Sequence, residues 1–406
     1  MSQTTGQQAG APREPSLRMR ERIEVPGAFV EQIDRPARTA ELSELLAEHH
    51  AKSEGVLVCG GRTRLELANR ARPLAAAVSL DALTGIDVFE PDEGVVHVLS
   101  GTPIRVLQAA VAAEGWELPL DPPGSATTVG GTISSASMGP RSHAFGRVAD
   151  AVLGLELVGA DGDVSKCGGR VVKNVTGYDL AKLYTGSFGS LAVVTGAWLR
   201  LRPQPARRLV LAGPVAQDRE TFERARALSR AVNVRAFVWS ESPEGSEAQI
   251  AVELGASEAG VAHDRKPFEE LLGLREGEPV AIDRLRDARS RAECRAPLAL
   301  RARVLATRLE EMRRAMLAAG LSVSIDVGLG VVSASGALAE PQALMRLRET
   351  AESCGGHASF DWLPTGWYNS LDVFGEQPGT RDLAAALKQR FDPRQILNPG
   401  RFVAGT

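Results

Sequence analysis

The chain has little from which to build a metal centre or a disulfide frame. Its four cysteines, Cys59, Cys167, Cys294 and Cys354, lie far apart in 406 residues, and no two form a C-x-x-C pair. That spacing argues against a zinc ribbon and disulfide staples. It also argues against an iron-sulfur cluster held by this chain, because such clusters need four thiolates, commonly in tight local runs. No run of about 18 apolar residues occurs, so a membrane span is not expected. Residues 1–16 are rich in Gln, Gly, Ser, Thr and Pro and contain no apolar core, so they read as a disordered tail rather than a signal peptide. Net charge is only -3 and the Lys and Arg residues are scattered, which leaves no nucleic-acid footprint. The location expected from these absences is the cytosol, with membrane association only peripheral and through partners.

What the chain does have is apolar mass. Hydrophobic residues make up 44% of it, enough for two cores. Leu42, Leu45, Leu46 and His49 repeat at helical spacing after Thr39, an expected N-cap, and the segment stops near Gly55. Val56-Leu57-Val58 then reads as a strand that breaks at Cys59-Gly60-Gly61-Arg62-Thr63. Val95 to Leu99 reads as a strand, and Thr102-Pro103 as the start of a helix closed by Gly115. Leu153 to Val158 and Val164 flank Ala160-Asp161-Gly162-Asp163, a hairpin turn signature. Leu191 to Leu201 is a further strand ended by Pro203 and Pro205, where the domain boundary is placed. Beyond it Leu305–Ala319 is helical in pattern and Leu321–Val332 strand-like. The division expected is a tail over 1–23, a first domain over 24–204 and a second over 205–406.

Two stretches carry the chemistry. From Pro122 to Ser137, small and hydroxylated residues crowd sixteen positions, and apolar Val129, Ile133 and Met138 set the run apart from a solvated linker. Such a loop lets backbone N–H groups and hydroxyls approach a diphosphate without a basic residue, with glycine where the backbone comes closest. Neither G-x-G-x-x-G nor G-K-[ST] is present, which removes the Rossmann and P-loop readings. The second stretch runs from Gly168 through Lys173, Asn174, Val175, Thr176, Gly177, Tyr178 and Asp179 to Gly186-Ser187-Phe188-Gly189. Its glycines let backbone lie along a planar ring, with Thr176 or Ser187 bonding a ring edge. Lys173 reads either as an offset to charge on that ring or as a solvated surface lysine.

In this order and spacing, Gly60-Gly61, the small-residue loop and the Asn-Val-Thr-Gly-Tyr-Asp-Leu to Gly-Ser-Phe-Gly-Ser-Leu run resemble the vanillyl-alcohol oxidase and p-cresol methylhydroxylase (PCMH) flavoproteins. Phe391-Asp392-Pro393-Arg394-Gln395-Ile396-Leu397-Asn398-Pro399-Gly400 resembles the ending of their hydroxyacid-oxidising branch, and the stretch from Gly169 to Leu180 looks most like glycolate oxidase flavoprotein subunits. The resemblance implies an α+β fold: a two-subdomain PCMH-type FAD-binding domain, then an α+β cap domain with an antiparallel sheet. It implies that Gly60, Gly61 and Thr63 lie in the first phosphate-side loop and that Gly130, Gly131 and Ser134 face the diphosphate. It implies that Gly186, Ser187 and Gly189 border the flavin and that Val193 or Val194 offers backbone to the adenine end. Pro123, Gly124, Thr128, Thr176, Gly177 and Asn398 complete the expected cofactor set. FAD is expected to be non-covalent, since the first glycine loop lacks the histidine that often carries covalent flavin.

The implied reaction is oxidation of a 2-hydroxy acid such as glycolate or D-lactate, with hydride transfer to flavin. The implied partners are a sister flavoprotein subunit and an iron-sulfur subunit. The metal-binding histidines of the D-lactate and 2-hydroxyglutarate type are missing from Ser324-Ile325-Asp326-Val327-Gly328-Leu329-Gly330, so no metal is expected. His357, in Gly355-Gly356-His357-Ala358, reads either as a base near the flavin or as a structural histidine of the cap. His143 shares that ambiguity, and Arg141 or Arg147 is a candidate carboxylate clamp. A second reading of the whole chain is a non-catalytic flavin-binding or assembly subunit.

Overall fold

Alternating apolar residues at Ile23, Val25, Val30 and Ile33 bury one face of a hairpin formed by β1 (Met19–Val25) and β2 (Ala28–Asp34). The computed structural model describes residues 19–170, 179–375 and 379–405. The tail read as 1–23 is therefore cut short, because Met19 already pairs with Ile33. Helix α1 (Thr39–Lys52) follows, with Arg38 rather than Thr39 at the N-cap, and buries Leu42, Leu46 and His49. β3 (Val56–Cys59) and β4 (Ala76–Ser79) complete a four-stranded sheet of order β1-β2-β4-β3, parallel on both sides of β4.

The second sheet is antiparallel throughout. Its strands are β5 (Ile86–Glu90), β6 (Val95–Leu99), β8 (Val152–Val158), β9 (Val164–Gly168) and β10 (Val193–Arg200), in the order β5-β6-β10-β8-β9. Between β6 and β8 come α2 (Ile104–Ala112), β7 (Trp116–Glu117), α3 (Val129–Ser135), α4 (Ser142–Phe145) and α5 (Val148–Ala151); α6 (Leu180–Tyr184) precedes β10. Pro103 is the N-cap of α2, and the Thr102 hydroxyl bonds Gly85 instead of the helix. The small-residue stretch read as a loop contains a helix. Val129 and Ile133 enter the core of the second sheet, and Thr128 Oγ1 caps α3 by accepting the Gly131 N–H at 3.2 Å. Burial of two apolar residues and one cap outweigh the poor helix propensity of its glycines, serines and threonine.

After β11 (Arg202–Pro203), which pairs with β7, the chain enters an eight-stranded antiparallel sheet at β12 (Arg207–Ala216). Along the chain follow α7 (Arg219–Leu228), β13 (Val234–Glu241), β14 (Glu247–Ala256), α8 (Glu258–Leu272), β15 (Arg275–Glu276), α9 (Ala281–Asp287) and β16 (Leu298–Arg303). Then come α10 (Leu309–Ala318), β17 (Ser322–Asp326), β18 (Val331–Gly336), α11 (Pro341–Ser353) and β19 (His357–Trp362). The order is β15-β12-β14-β13-β17-β18-β16-β19. The strand-like run Leu321–Val332 is thus two strands, turning between Asp326 and Val331. One face of this sheet buries Phe237 and Trp239 against Phe222, Phe268 and Met312. α9 crosses the opposite face and meets the first domain.

The C-terminal segment does not stay with the eight-stranded sheet. After α12 (Thr380–Phe391), Ile396 and Leu397 return to β3: Val56 donates to Ile396 O at 2.7 Å and Asn398 donates to Val56 O at 3.0 Å. Buried Lys388 fixes the approach by donating to Asp392, Ser190 O and Leu397 O, each at 2.8 Å. Asp392 in turn accepts the N–H groups of Ile396 at 3.0 Å and Leu397 at 2.8 Å, which folds the turn.

Candidate functional site

The tip of β3 and the N-terminus of α3 meet at a close backbone approach. A Cβ on Gly61 would stand 1.7 Å from Ala126 O, and one on Gly60 would stand 2.5 Å from Thr128 Oγ1. Only glycine permits this contact. Thr63 Oγ1 and Thr127 Oγ1, 3.2 Å apart, stitch the two loops together. Arg62, at φ 58, is held by Glu21.

A cleft of about 580 Å³, counting its mouth, opens beside this contact. It is lined by Cys59, Gly60, Gly61, Arg62, Thr63 and Arg64 on one side, by Thr128, Gly131, Ser134 and Ser135 of α3, and by Phe188, Asn398 and Arg401. A second lobe continues past Gly130 and Gly189 to Leu80, Ser100, Val193 and Val194. Of the residues expected to hold a cofactor, Gly60, Gly61, Thr63, Thr128, Gly130, Gly131, Ser134, Gly189, Val193, Val194 and Asn398 line these two lobes.

The others lie elsewhere. Gly124 donates to Asp287 of α9 at 3.0 Å, so Pro123 and Gly124 face the cap junction. Ser187 is buried with its hydroxyl on Tyr184 O, and the Gly186 N–H is on Ile133 O. Lys173, Thr176 and Gly177 lie outside the described residues. Asn398 lines the cleft but acts as a brace: Oδ1 accepts from Val58 N–H at 2.9 Å and Nδ2 donates to Phe188 O at 2.9 Å.

Of the two loops expected on the phosphate side, only the first has free backbone donors. The N–H groups of Val129 and Gly130 bond Thr102 O and Ser100 O, and that of Gly131 bonds Thr128, so none is free for a ligand. The N–H groups of Gly60, Gly61, Arg62 and Thr63 have no acceptor among the described residues. Ser100 Oγ, Arg64 Nε and Nη2, and Arg401 Nη1 are buried and also without partners. Buried donors left unpaired cost about 1–3 kcal/mol each, so a row of them marks a place where a ligand supplies acceptors. The Gly60 to Thr63 turn fits the diphosphate of FAD, and the unpaired side-chain donors lie along the same cleft.

The candidate base and clamps take other roles. His357 is half-buried on β19 and lines neither lobe; its ring packs on Gly375, and burial, then the charge of Arg348, holds its pKa below the usual imidazole value. His143 packs against Gly328 in the β17–β18 turn, and burial lowers its pKa too. Arg141 bonds Glu253 at 2.7 Å, Asp283 at 2.7 Å and Asp121 at 3.2 Å, a clasp between the two domains rather than a free clamp. Arg147 is exposed on Asp150.

Arg64, Ser100, Phe188 and Arg401 were not singled out from sequence. Phe188, at φ 55, stacks 5.4 Å from Phe402 and meets Phe374 edge-on. The available signal was position: Arg64 follows the first glycine turn, Phe188 sits inside Gly-Ser-Phe-Gly, and Arg401 follows Asn-Pro-Gly.

Comparison with known proteins agrees with this geometry. Residues 30–168 match the FAD binding domain family. The glycolate oxidase subunit GlcE of Escherichia coli is 30% identical over 323 residues, covering 79% of this chain and 85% of that protein. D-lactate dehydrogenase of Archaeoglobus fulgidus is 30% identical over 249 residues, 61% of this chain, and the match spans only 56% of that longer protein. The solved structure of an alkyldihydroxyacetonephosphate synthase shares the fold, with a TM-score of 0.67 over 91% of this chain and 77% of its own, at 13% identity. No helix among the described residues is long and apolar enough to cross a membrane. With FAD as its cofactor, the chain belongs to the FAD-binding oxidoreductases of the vanillyl-alcohol oxidase and p-cresol methylhydroxylase type, in the group that includes the glycolate oxidase subunits.

Proposed function

We propose that this protein oxidises a 2-hydroxy acid such as glycolate or D-lactate as the FAD-bearing subunit of a larger complex, with a sister flavoprotein and an iron-sulfur subunit carrying electrons onward. The observation that carries the reading is the cleft whose unpaired donors run from Ser100 past Gly60–Thr63 to Arg64 and Arg401. FAD, when bound, supplies the hydride acceptor. The chain supplies placement: the Gly60–Thr63 turn donates to the diphosphate, α3 presents Gly131 and Ser134, and Asn398 keeps the Phe188–Gly189 turn against β3. Phe188 lines the cleft and is backed by the rings of Phe374 and Phe402. His357 has no proton-transfer role in this reading, because it lines neither lobe.

A second reading, a non-catalytic assembly subunit, is favoured by one contact. Arg289 binds Asp326 through two bonds of 2.7 and 2.9 Å at the turn where metal histidines are missing, which leaves that carboxylate engaged. Anaerobic mixing of the FAD-loaded protein with glycolate, D-lactate and D-2-hydroxyglutarate separates the two. Bleaching of the flavin absorbance by one of them supports the first reading, and no bleaching by any, alone or with co-expressed partner subunits, supports the second.

A further inference from the structure

Two arginines at one end of the cleft lack any counter-ion. Arg401 is only 5% exposed; its Nη2 donates to Leu65 O at 2.7 Å and its Nη1 has no acceptor. Arg64 lines the same lobe with Nε and Nη2 buried and unpaired. Neither forms an ion pair among the described residues. Asp361 is engaged by Arg301 at 3.2 Å, and the Glu66 carboxylate lies beyond 4.0 Å of both guanidinium groups. Burial pushes both arginine pKa values down to about 10, against the pull of Asp361 and Glu66 on Arg64 and of Tyr368 and Glu66 on Arg401. Two buried, uncompensated cations lining one lobe are costly, and a fold retains them where an anion meets them.

Position decides which anion. Both arginines line the first lobe and neither lines the second, which ends at Val193 and Val194. The diphosphate already has the free N–H groups of Gly60 to Thr63, between the arginines and that far end. Tyr368 of the cap donates its hydroxyl to Glu66 O at 3.0 Å, two residues along from Arg64, and Arg401 donates to Leu65 O between them. The arginine end is therefore the cap end, opposite the nucleotide. A planar guanidinium pair with three free donors matches a carboxylate in two-pronged geometry.

The geometry points to Arg64 and Arg401 as a carboxylate site that takes the acid group of the substrate at the cap end of the cleft. This rests on the proposed hydroxyacid reading for the identity of the acid, though not for the presence of the site. The probe is oxalate, titrated into the FAD-loaded full chain and followed by the perturbation of the flavin spectrum. Wild type binds it. Arg64→Gln and Arg401→Gln each weaken binding by about ten- to a hundred-fold, and Arg64→Lys by less, while the FAD dissociation constant and the melting temperature stay level.

Weaker FAD binding with unchanged oxalate affinity would assign the pair to the diphosphate and overturn the proposal. A shifted flavin midpoint potential with unchanged oxalate affinity overturns it as well, as does a wild-type protein that binds no oxalate. Should Arg64→Gln fail to fold, Arg64→Lys and Arg401→Gln carry the same comparison. Oxalate binding that depends on the pair in a protein no hydroxyacid can bleach leaves the site standing and removes the oxidase reading. Undiminished bleaching in both arginine variants does the reverse.

Discussion

Asn398 accepts the Val58 N–H at 2.9 Å across 340 positions of sequence, and with its other end grips Phe188 O. One side chain thus joins the strand that carries the first glycine turn to the turn on the far wall of the cleft. Asn398→Ala leaves the Val58 donor without its acceptor and should cost about 1–3 kcal/mol of stability. Urea unfolding checks the loss, and fluorescence titration should show weaker FAD binding in the same variant. Normal FAD affinity at reduced stability would limit Asn398 to a folding role.

Gly131→Val should lose FAD while the protein stays folded. A Cβ there meets only Thr128 Oγ1, at 3.2 Å, and otherwise projects into the cleft. Gly130→Val differs, since its Cβ would stand 2.7 Å from that of Ser100 and disturbs the second sheet first. Neither glycine has a positive φ, so no left-handed strain enters. Circular dichroism beside flavin content separates the two; equal FAD occupancy in Gly131→Val and wild type would remove α3 from the site.

All of the flavin should be released by acid precipitation. Among the described residues no histidine lines either lobe, and the one thiol that does, Cys59, is held in its neutral form by burial. Thiolate, not thiol, is the reactive species. Yellow colour left in the washed pellet contradicts this.

Removing Arg141 should be among the most damaging single changes away from the cleft. Arg141→Ala leaves Glu253 and Asp121 buried with fewer partners and should cost about 3–5 kcal/mol, read by denaturant unfolding. Burial alone would raise the pKa of Glu253, but Arg141 and Arg235 outweigh it and hold it below the usual value. The folded state therefore binds this proton more weakly than the unfolded chain, and the stabilisation is present above the unfolded pKa of about 4.3 and lost as pH falls through the folded value. Wild type should lose stability below about pH 4.5, with a slope that flattens in Glu253→Gln.

His357→Gln should leave hydroxyacid turnover within about threefold of wild type, in keeping with a ring that lines neither lobe. A loss of about a hundredfold or more, the scale of a general base, would return His357 to the mechanism.

Strands bounded by glycine or proline were readable because apolar runs and turn residues coincide, as at Val56–Cys59 and in the hairpin from Leu153 to Val164. The helix Val129–Ser135 was not, since local preference opposes it and only contacts with distant strands decide. The turn at Val327–Gly330 was hidden by Val327 and Leu329, which prolong the apolar pattern. Much of the cleft lining was legible as glycines in order. Arg64 and Arg401 were not, because what distinguishes an arginine with no counter-ion from the many surface ones is its surroundings, which sequence does not display.

The return of residues 396–401 to β3 also bears on synthesis. A nascent chain that has emerged as far as residue 204 already carries every glycine turn of the cleft, yet it lacks Asn398, Arg401 and the strand partner of Val56. For the time the ribosome takes to add some two hundred residues, that cleft is an open groove. Both walls of the cleft are complete only once residues 396–401 have joined β3, and FAD capture is expected to wait for them.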